Sequence, residues 1–156
     1  MSIHWQSIVG VRYLFLHKFW SHIINYEEIF MKAISTNKAP AAIGPYSQGY
    51  IHGGFFYGSG QIPVDPASGE VVKGGIAEQT SRACENVGAL LEAAGIGFDK
   101  VIKTTCFISD MGDFGEFNAV YEKYFISKPA RSCVAVKTLP KNVLCEVEVT
   151  AYAGDK

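Results

Sequence analysis

The residue types with the clearest capacity for chemistry lie near the C-terminus of the chain. Arg131 is followed fifteen residues later by Glu146. An arginine guanidinium is suited to bidentate recognition of a carboxylate, and a glutamate with a suitably perturbed pKa orients or deprotonates water. These two residue types would serve a site that holds a small carboxylic acid and presents water to it.

Both residues lie in segments that alternate between polar and apolar positions, a pattern typical of strands. The pattern predicts strands at 131–137 and 143–152, with the turn in 139–142 between them. If that turn is tight, the two strands pair directly as a hairpin, and Ala135 lies opposite Glu146.

Direct pairing would place the polar side chains of both strands on one face. Arg131 and Cys133 would point the same way as Glu146 and Glu148, with Arg131 about 13 Å from the residue paired with Glu146. At that separation the two residues would not form a salt bridge, but a small acid could bridge them. Alternation alone leaves a second interpretation open, in which these charges mark a solvated face. Cys133 has no histidine near it in sequence to activate it, which favours an apolar wall residue.

The composition of the chain restricts its size class and its partners. With 156 residues, of which 48% are hydrophobic, the chain can bury one core, so we expect one domain. The net charge of −1 provides no basic field, so we expect no strong nucleic-acid binding and no membrane association. Four widely spaced cysteines favour reduced thiols in the cytoplasm, and the scarcity of histidines after residue 22 predicts no metal site.

Turn residues and apolar spacing outline the elements that must position the polar residues. Gly53-Gly54 predicts a hairpin between two aromatic segments, and the turn residues of 65–69 predict a loop. Apolar residues recur at helical spacing between Ile76 and Ala94, and this pattern predicts a helix that ends at Gly95.

The second half of the chain continues the alternation of strand and helix. Residues 101–109 predict a strand with Ile102 and Thr104 on one face, and Asp113 with Glu116 resembles a capping box before a second helix. The predicted order is β-β-α-β-α-β-β, an α+β domain with both helices on one face of the sheet. Large aromatic residues occupy the other face, so we expect self-association to bury it.

The first thirty residues differ in composition from the rest of the chain. They contain both tryptophans and three of the four histidines, and no uncharged run long enough to cross a bilayer. One interpretation is an amphipathic helix that lies on a membrane or a partner. The other is an upstream region translated from a misplaced start, in which codons for Glu27-Glu28 form a ribosome-binding sequence and Met31 is the natural start. The domain is then 31–156.

Several separate motifs in residues 31–156 occur in a defined order. The C-terminal motifs are PARSCV at 129–134, LPK at 139–141 and Glu146. The upstream motifs are APAAIGPYSQG at 39–49, GSGQIP at 58–63, VIKTT at 101–105, and Asn118 with Tyr121-Glu122. By these motifs the chain resembles the RidA (YjgF) family of imine and enamine deaminases.

The resemblance implies a chorismate-mutase-like α+β fold and a homotrimer with active sites between subunits, without cofactor or metal. The implied activity is hydrolysis of 2-imino and enamine acids, of the 2-aminoacrylate and 2-iminobutanoate type, to 2-keto acids and ammonia. This reaction would detoxify reactive intermediates in the cytoplasm. By matching positions, Arg131 binds the substrate carboxylate and Glu146 positions the attacking water. The residues that line the cleft are then Tyr46, Ser59, Gly60, Asn118 and Cys133.

Two positions depart from the family pattern. The connection from Phe125 to Pro129 is short, which predicts a more open rim near Arg131, and Cys145 stands in the core where an aliphatic residue is usual. Two other functions stay open. One is a regulatory trimer that binds small keto acids without turnover, and the other is a ribonuclease or translation inhibitor, against which the near-neutral charge argues.

Overall fold

The computed structural model describes residues 31–154. Residues 1–30 lie outside the described residues, so the hypothesis of an upstream extension stays a prediction. Six strands form one sheet in the order β1-β2-β3-β6-β4-β5. The strands are β1 (Lys32–Ile34), β2 (Gly49–His52), β3 (Phe55–Gln61), β4 (Val101–Ile108), β5 (Ala130–Ala135) and β6 (Cys145–Tyr152). Neighbouring strands are antiparallel except β4 and β5, which are parallel.

The N-terminal strands show one predicted and one unexpected element. The hairpin at Gly53-Gly54 is confirmed: His52 pairs with Phe55, and both glycines have the positive φ, 57° and 74°, that a two-residue turn requires. Strand β1 was not predicted, because its three residues are too few to show alternation.

Helix α1 (Ile76–Ala93) follows the predicted bounds closely. The Glu78 carboxylate accepts a hydrogen bond of 2.8 Å from the N–H of Gly75 at the helix start. Gly95 follows the C-terminus with φ of 78°, the left-handed conformation that glycine adopts at least cost.

Helix α2 (Phe114–Tyr124) begins differently from the prediction. The expected capping box at Asp113 does not form, because a 3-10 turn (Met111–Asp113) places that residue in helical backbone geometry. The Asp110 carboxylate instead accepts from the N–H of Gly112 at 2.8 Å, at the start of the turn. The first polar cap therefore lies three residues earlier than expected.

Both helices cover the same face of the sheet, as predicted. The core between them and the sheet is apolar and includes Phe56, Leu90, Ile108, Phe117 and Val147, each fully buried. In β4 a register shift between Val101 and Lys103 buries Val101 and leaves Ile102 46% exposed, so the face predicted for Ile102 was wrong.

The opposite face of the sheet carries aromatic side chains without a covering element among the described residues. Tyr50, Tyr57 and Tyr152 on this open face are 38%, 50% and 41% exposed. Phe55 packs edge-on against Tyr152 across β3 and β6. A contiguous exposed apolar patch on a protein surface is typical of an interaction site.

The predicted direct pairing of β5 with β6 was wrong. Strand β4 lies between them, and the connecting segment 136–144 crosses the end of β4. The two ends of this segment form hydrogen bonds with the end of β4, from Val136 N–H to Ile108 O and from Ser109 N–H to Leu144 O, both 2.9 Å. The connection is therefore a crossover over one strand, and the side-chain faces inferred from a hairpin do not hold.

Candidate active site

The Arg131 guanidinium is held in a fixed position on the helix-covered face, at the edge strand β5. Arg131 shares a row of the sheet with Thr104 of β4. Its Nη1 donates a hydrogen bond of 2.8 Å to Asn118 Oδ1 on α2. The guanidinium carbon lies 4.7 Å from the centroid of the Tyr121 ring and 5.5 Å from that of Phe114. These cation–π contacts and the hydrogen bond orient the guanidinium and leave other N–H groups for a ligand.

A cavity of about 300 Å³ opens beside this guanidinium. Its lining includes Asn118, Tyr121, Lys128 and Arg131. The Tyr121 hydroxyl forms a hydrogen bond of 2.8 Å with Thr104, and burial raises the pKa of Tyr121 to about 12, so the phenol stays protonated. Lys128 has φ of 51°, and with Pro129 it forms the short connection predicted to open the rim.

Cys133 lies two residues beyond Arg131 on the same face. It is directly opposite the buried Cys106 of β4, and it is itself partly buried. Burial raises the pKa of the Cys133 thiol, with a smaller opposing effect from Arg131. A protonated, half-buried thiol suits the wall of a cleft better than a nucleophile.

Glu146 lies on the open face, against Gly60 of β3. A Cβ atom at Gly60 would overlap the Glu146 carboxylate, so only glycine leaves room for this side chain in its present position. The register of β3 against β6 shifts between Gly58 and Gln61, and Gly60 lies within this irregularity. Because Gly60 in the motif GSGQ has no Cβ atom, the backbone of β3 lies close to the Glu146 carboxylate.

Compared with water, the protein environment of Glu146 favours the protonated form of its carboxyl group. Burial raises the pKa of the Glu146 carboxyl, and the negative charge of Glu148 raises it further. Thr105 donates a hydrogen bond of 2.9 Å to Glu148, whereas no donor within residues 31–154 contacts Glu146. The Glu146 carboxylate is thus available to accept a hydrogen bond from water.

Ser59 precedes Gly60 in β3, and Tyr46 lies in the loop before β2. The Ser59 hydroxyl donates to Ser47 O at 2.6 Å, and its N–H donates to Gln48 O at 3.0 Å, so Ser59 holds the loop to β3. Tyr46 is 50% exposed, and with Gly60 it lines a second cavity of about 180 Å³.

The predicted site residues fall into two groups on opposite faces of the sheet. Arg131, Asn118 and Cys133 lie on the helix-covered side, whereas Glu146 and Gly60 lie on the open side. One chain therefore does not bring Arg131 and Glu146 to one ligand, and the prediction that they share a face was wrong.

Two residues of the guanidinium site were missed by sequence reasoning. Phe114 and Tyr121 contact Arg131 but were not among the predicted site residues, although Tyr121 belongs to one of the family motifs. The signal that could have identified them is the position of Asn118 on the same helix, between the two aromatics.

The fold is that of a small α+β protein, and its candidate site residues lie on both faces of one sheet. Residues 36–153 match the family profile described as Endoribonuclease L-PSP. The chain belongs to this family, which is the RidA (YjgF) family.

Relatives with high identity carry different names. The 2-iminobutanoate/2-iminopropanoate deaminase of Mus musculus is 47% identical over 127 residues, 81% of this chain and 94% of the relative. The deaminase of the same name from Homo sapiens is 46% identical over 127 residues, with 81% and 93% covered. A Lactococcus lactis relative, which is named as a regulator, AldR, is 54% identical over 122 residues. The match covers 78% of this chain and 97% of the relative.

Solved structures share the fold. The crystal structure of E. coli TdcF with bound serine has 44% identity and a TM-score of 0.74, and covers 78% of this chain and 98% of that chain. The E. coli YjgF structure has 46% identity and the same TM-score and coverage. In the described part of this chain, no helix has the length and hydropathy needed to cross a bilayer.

Proposed function

We propose that this protein hydrolyses reactive 2-imino and enamine acids, of the 2-aminoacrylate and 2-iminobutanoate type, to 2-keto acids and ammonia. The observation that carries the proposal is the Arg131 guanidinium, which Asn118 and the Tyr121 ring orient beside an open cavity. A guanidinium held in this way suits a planar carboxylate. The deaminase names of the mouse and human relatives support the same reaction.

The proposed mechanism needs one bound water and one carboxylate. A protonated imine is already electrophilic, so the site needs no cofactor or metal to activate it. Arg131 binds the substrate carboxylate, and Glu146 accepts a proton as the water oxygen bonds to C2. The resulting carbinolamine receives that proton on nitrogen. As the C–N bond breaks, the carbinolamine hydroxyl gives its proton to the Glu146 carboxylate, the 2-keto acid forms, and the departing ammonia takes up this proton and leaves as ammonium. The raised pKa of Glu146 suits a group that both accepts and returns a proton.

We propose that each site forms between two copies of the chain in a homotrimer. Arg131, Asn118 and Cys133 of one copy would face Glu146, Ser59, Gly60 and Tyr46 of the next. Two features support this arrangement: the two groups lie on opposite faces of one sheet, and the aromatic open face needs a covering surface. The bound serine named for TdcF, an amino acid with a carboxylate, is consistent with such a site. We also propose that the protein acts in the cytoplasm, where its four free thiols would stay reduced.

Ammonia release from enzymatically generated 2-iminobutanoate tests the proposal. We expect the parent chain to accelerate release over the uncatalysed reaction. Arg131→Ala and Glu146→Gln should each lower kcat/KM by about 100-fold or more, because each removes a group that acts on the substrate or on water. Glu92→Gln is the matched control, since Glu92 pairs with Lys38 on the surface and should keep parental activity.

The other functions open for this family give distinct outcomes in the same assay. Binding of 2-oxobutanoate without faster ammonia release would replace the enzyme with a regulatory protein, as the name AldR suggests. RNA cleavage that survives both Arg131→Ala and Glu146→Gln would point to a separate ribonuclease site, as the family description suggests.

A further inference from the structure

Thr104 is the neighbour of Arg131 in the sheet, but it does not line the cavity beside Arg131. The two residues are paired across the parallel strands β4 and β5, and both side chains lie on the helix-covered face. Thr104 is fully buried and is not part of the cavity lining. Any effect of Thr104 on a ligand at Arg131 must therefore pass through another side chain.

Tyr121 is the side chain that contacts both residues. Its hydroxyl and the Thr104 hydroxyl form a hydrogen bond of 2.8 Å. The centroid of its ring lies 4.7 Å from the guanidinium carbon of Arg131. Tyr121 is only 7% exposed, yet it lines the cavity. A buried hydroxyl on β4 is thus linked through one aromatic ring to the guanidinium on β5.

The Tyr121 ring needs its hydroxyl contact to have a fixed position. The ring stacks on Phe117 with an interplanar angle of 28° and on Phe125 with an angle of 19°. Near-parallel stacking restricts the tilt of a ring, but offset stacks of several displacements are all favourable. Stacking alone therefore permits the ring to slide within its plane. The hydrogen bond to Thr104 anchors one end of the ring and prevents this movement.

The Arg131 guanidinium depends on that ring for its orientation. Within residues 31–154 its one side-chain hydrogen bond runs from Nη1 to Asn118 Oδ1, at 2.8 Å. A single hydrogen bond permits the guanidinium plane to turn about that bond. The face of the Tyr121 ring supplies a second constraint. A carboxylate that accepts two parallel N–H groups requires a defined guanidinium plane, so both constraints affect its binding.

We propose that Thr104 is a positioning residue for substrate binding, which fixes the plane of the Arg131 guanidinium through its hydrogen bond with Tyr121. The inference rests on the proposed function, in which Arg131 binds the substrate carboxylate. Without the Thr104 hydroxyl, the buried phenol has lost its partner, and Tyr121 moves toward water in the cavity to regain one. The guanidinium then loses the ring face that holds its plane.

Binding of 2-oxobutanoate, a stable 2-keto acid, tests the role of Thr104 without turnover. Thr104→Val keeps the branched shape and removes the hydroxyl, so we expect calorimetry to show a Kd about tenfold higher than that of the parent. Thr104→Ser keeps the hydroxyl, and its Kd should stay within about threefold. In ammonia release from 2-iminobutanoate, Thr104→Val should raise KM by a similar factor and keep kcat within about twofold, because the carboxylate is bound equally in ground and transition states.

Tyr121→Phe provides a second variant, and Tyr124→Phe provides the matched control. Tyr121→Phe should reproduce the higher Kd of Thr104→Val, and the double variant should show no further loss, because both changes remove one hydrogen bond. If Thr104→Val does not fold, Tyr121→Phe carries the test. Tyr124 lies on the same helix, and its hydroxyl also pairs with a hydroxyl, that of Ser81, at 2.8 Å. Its ring is not among those that contact Arg131, so Tyr124→Phe should keep the parental Kd.

The remaining outcomes overturn the inference and show whether the proposed function falls with it. Parental affinity in Thr104→Val, together with lost binding in Arg131→Ala, would overturn the role of Thr104 alone. An equal loss in Thr104→Ser or in Tyr124→Phe would also overturn it, because the effect would then be a general loosening of the core. Binding of 2-oxobutanoate that survives Arg131→Ala would remove the carboxylate assignment of the proposed function, and with it this inference.

Discussion

The guanidinium of Arg131 lies on the face of the sheet that packs against the helices. Such a position is tolerated because one N–H binds Asn118 and the guanidinium plane contacts two aromatic rings. Glu146 differs from Arg131 in this respect. Burial and the negative charge of Glu148 both disfavour the charged form of its carboxyl, and no hydrogen-bond donor among the described residues stabilises that form. The proposed chemistry requires both situations. Arg131 binds the substrate and is held by its partners, whereas Glu146 must accept a proton, and a carboxylate without hydrogen-bond donors retains affinity for a proton.

The raised pKa of Glu146 predicts a stability cost that depends on pH. A carboxyl whose pKa is higher in the folded state than its ordinary 4.5 binds its proton more tightly when folded. The contribution of Glu146 to stability is therefore most favourable below pH 4.5, and it falls as pH rises through the folded pKa of this carboxyl. Glu146→Gln removes this loss, so its Tm should exceed that of the parent at pH 7 and converge with it at pH 4. Thermal unfolding at both pH values measures the difference; a lower Tm for the variant at pH 7 would contradict it.

At the scale of elements, strand β3 and its irregularity near Gly60 set the position of Glu146. The glycine has no Cβ, and so the backbone of β3 approaches the carboxylate. The same residue lines the second cavity, together with Tyr46. Gly60 thus lies next to both the Glu146 carboxylate and this cavity.

Gly60→Ala tests this role of β3. The added Cβ overlaps the Glu146 carboxylate and must displace it, so we expect ammonia release to fall by about 100-fold. Gly115→Ala is the control: a Cβ at Gly115 meets nothing within 4 Å, and alanine in a helix is favoured over glycine by about 0.5–1 kcal/mol. It should keep full activity. Parental activity in Gly60→Ala would show that the close approach is not needed.

Local features of this fold could be predicted from sequence, but strand order could not. Gly53-Gly54 and Gly95 each need a positive φ that glycine supplies locally, so the hairpin and the helix end were predicted correctly. The insertion of β4 between β5 and β6 depends on contacts between residues such as Cys106 and Val147, far apart in sequence. That error reversed the face of Arg131 relative to Glu146. The family motifs still identified both residues as candidates, because a motif does not depend on which strands pair.

For the whole molecule, the proposed trimer would account for both the open sheet face and the divided polar groups. A closed cyclic assembly would cover the tyrosines of the open face and would bring Arg131 of one copy to Glu146 of another. In a trimer of this kind each chain contributes one half of two different sites. Neither half of a site would be active without the other, so we expect only the assembled protein to be active.

Mixing two inactive variants tests the shared site most directly. Arg131→Ala and Glu146→Gln chains are unfolded together at equal concentration, refolded, and assayed for ammonia release from 2-iminobutanoate. Random assembly into trimers pairs an intact Arg131 with an intact Glu146 at about one site in four, so we expect about a quarter of parental activity from two inactive parents. Each variant refolded alone is the control and should remain inactive. Mixed refolding that recovers no activity, while the parent chain refolded in the same way regains its own, would contradict a site shared between copies.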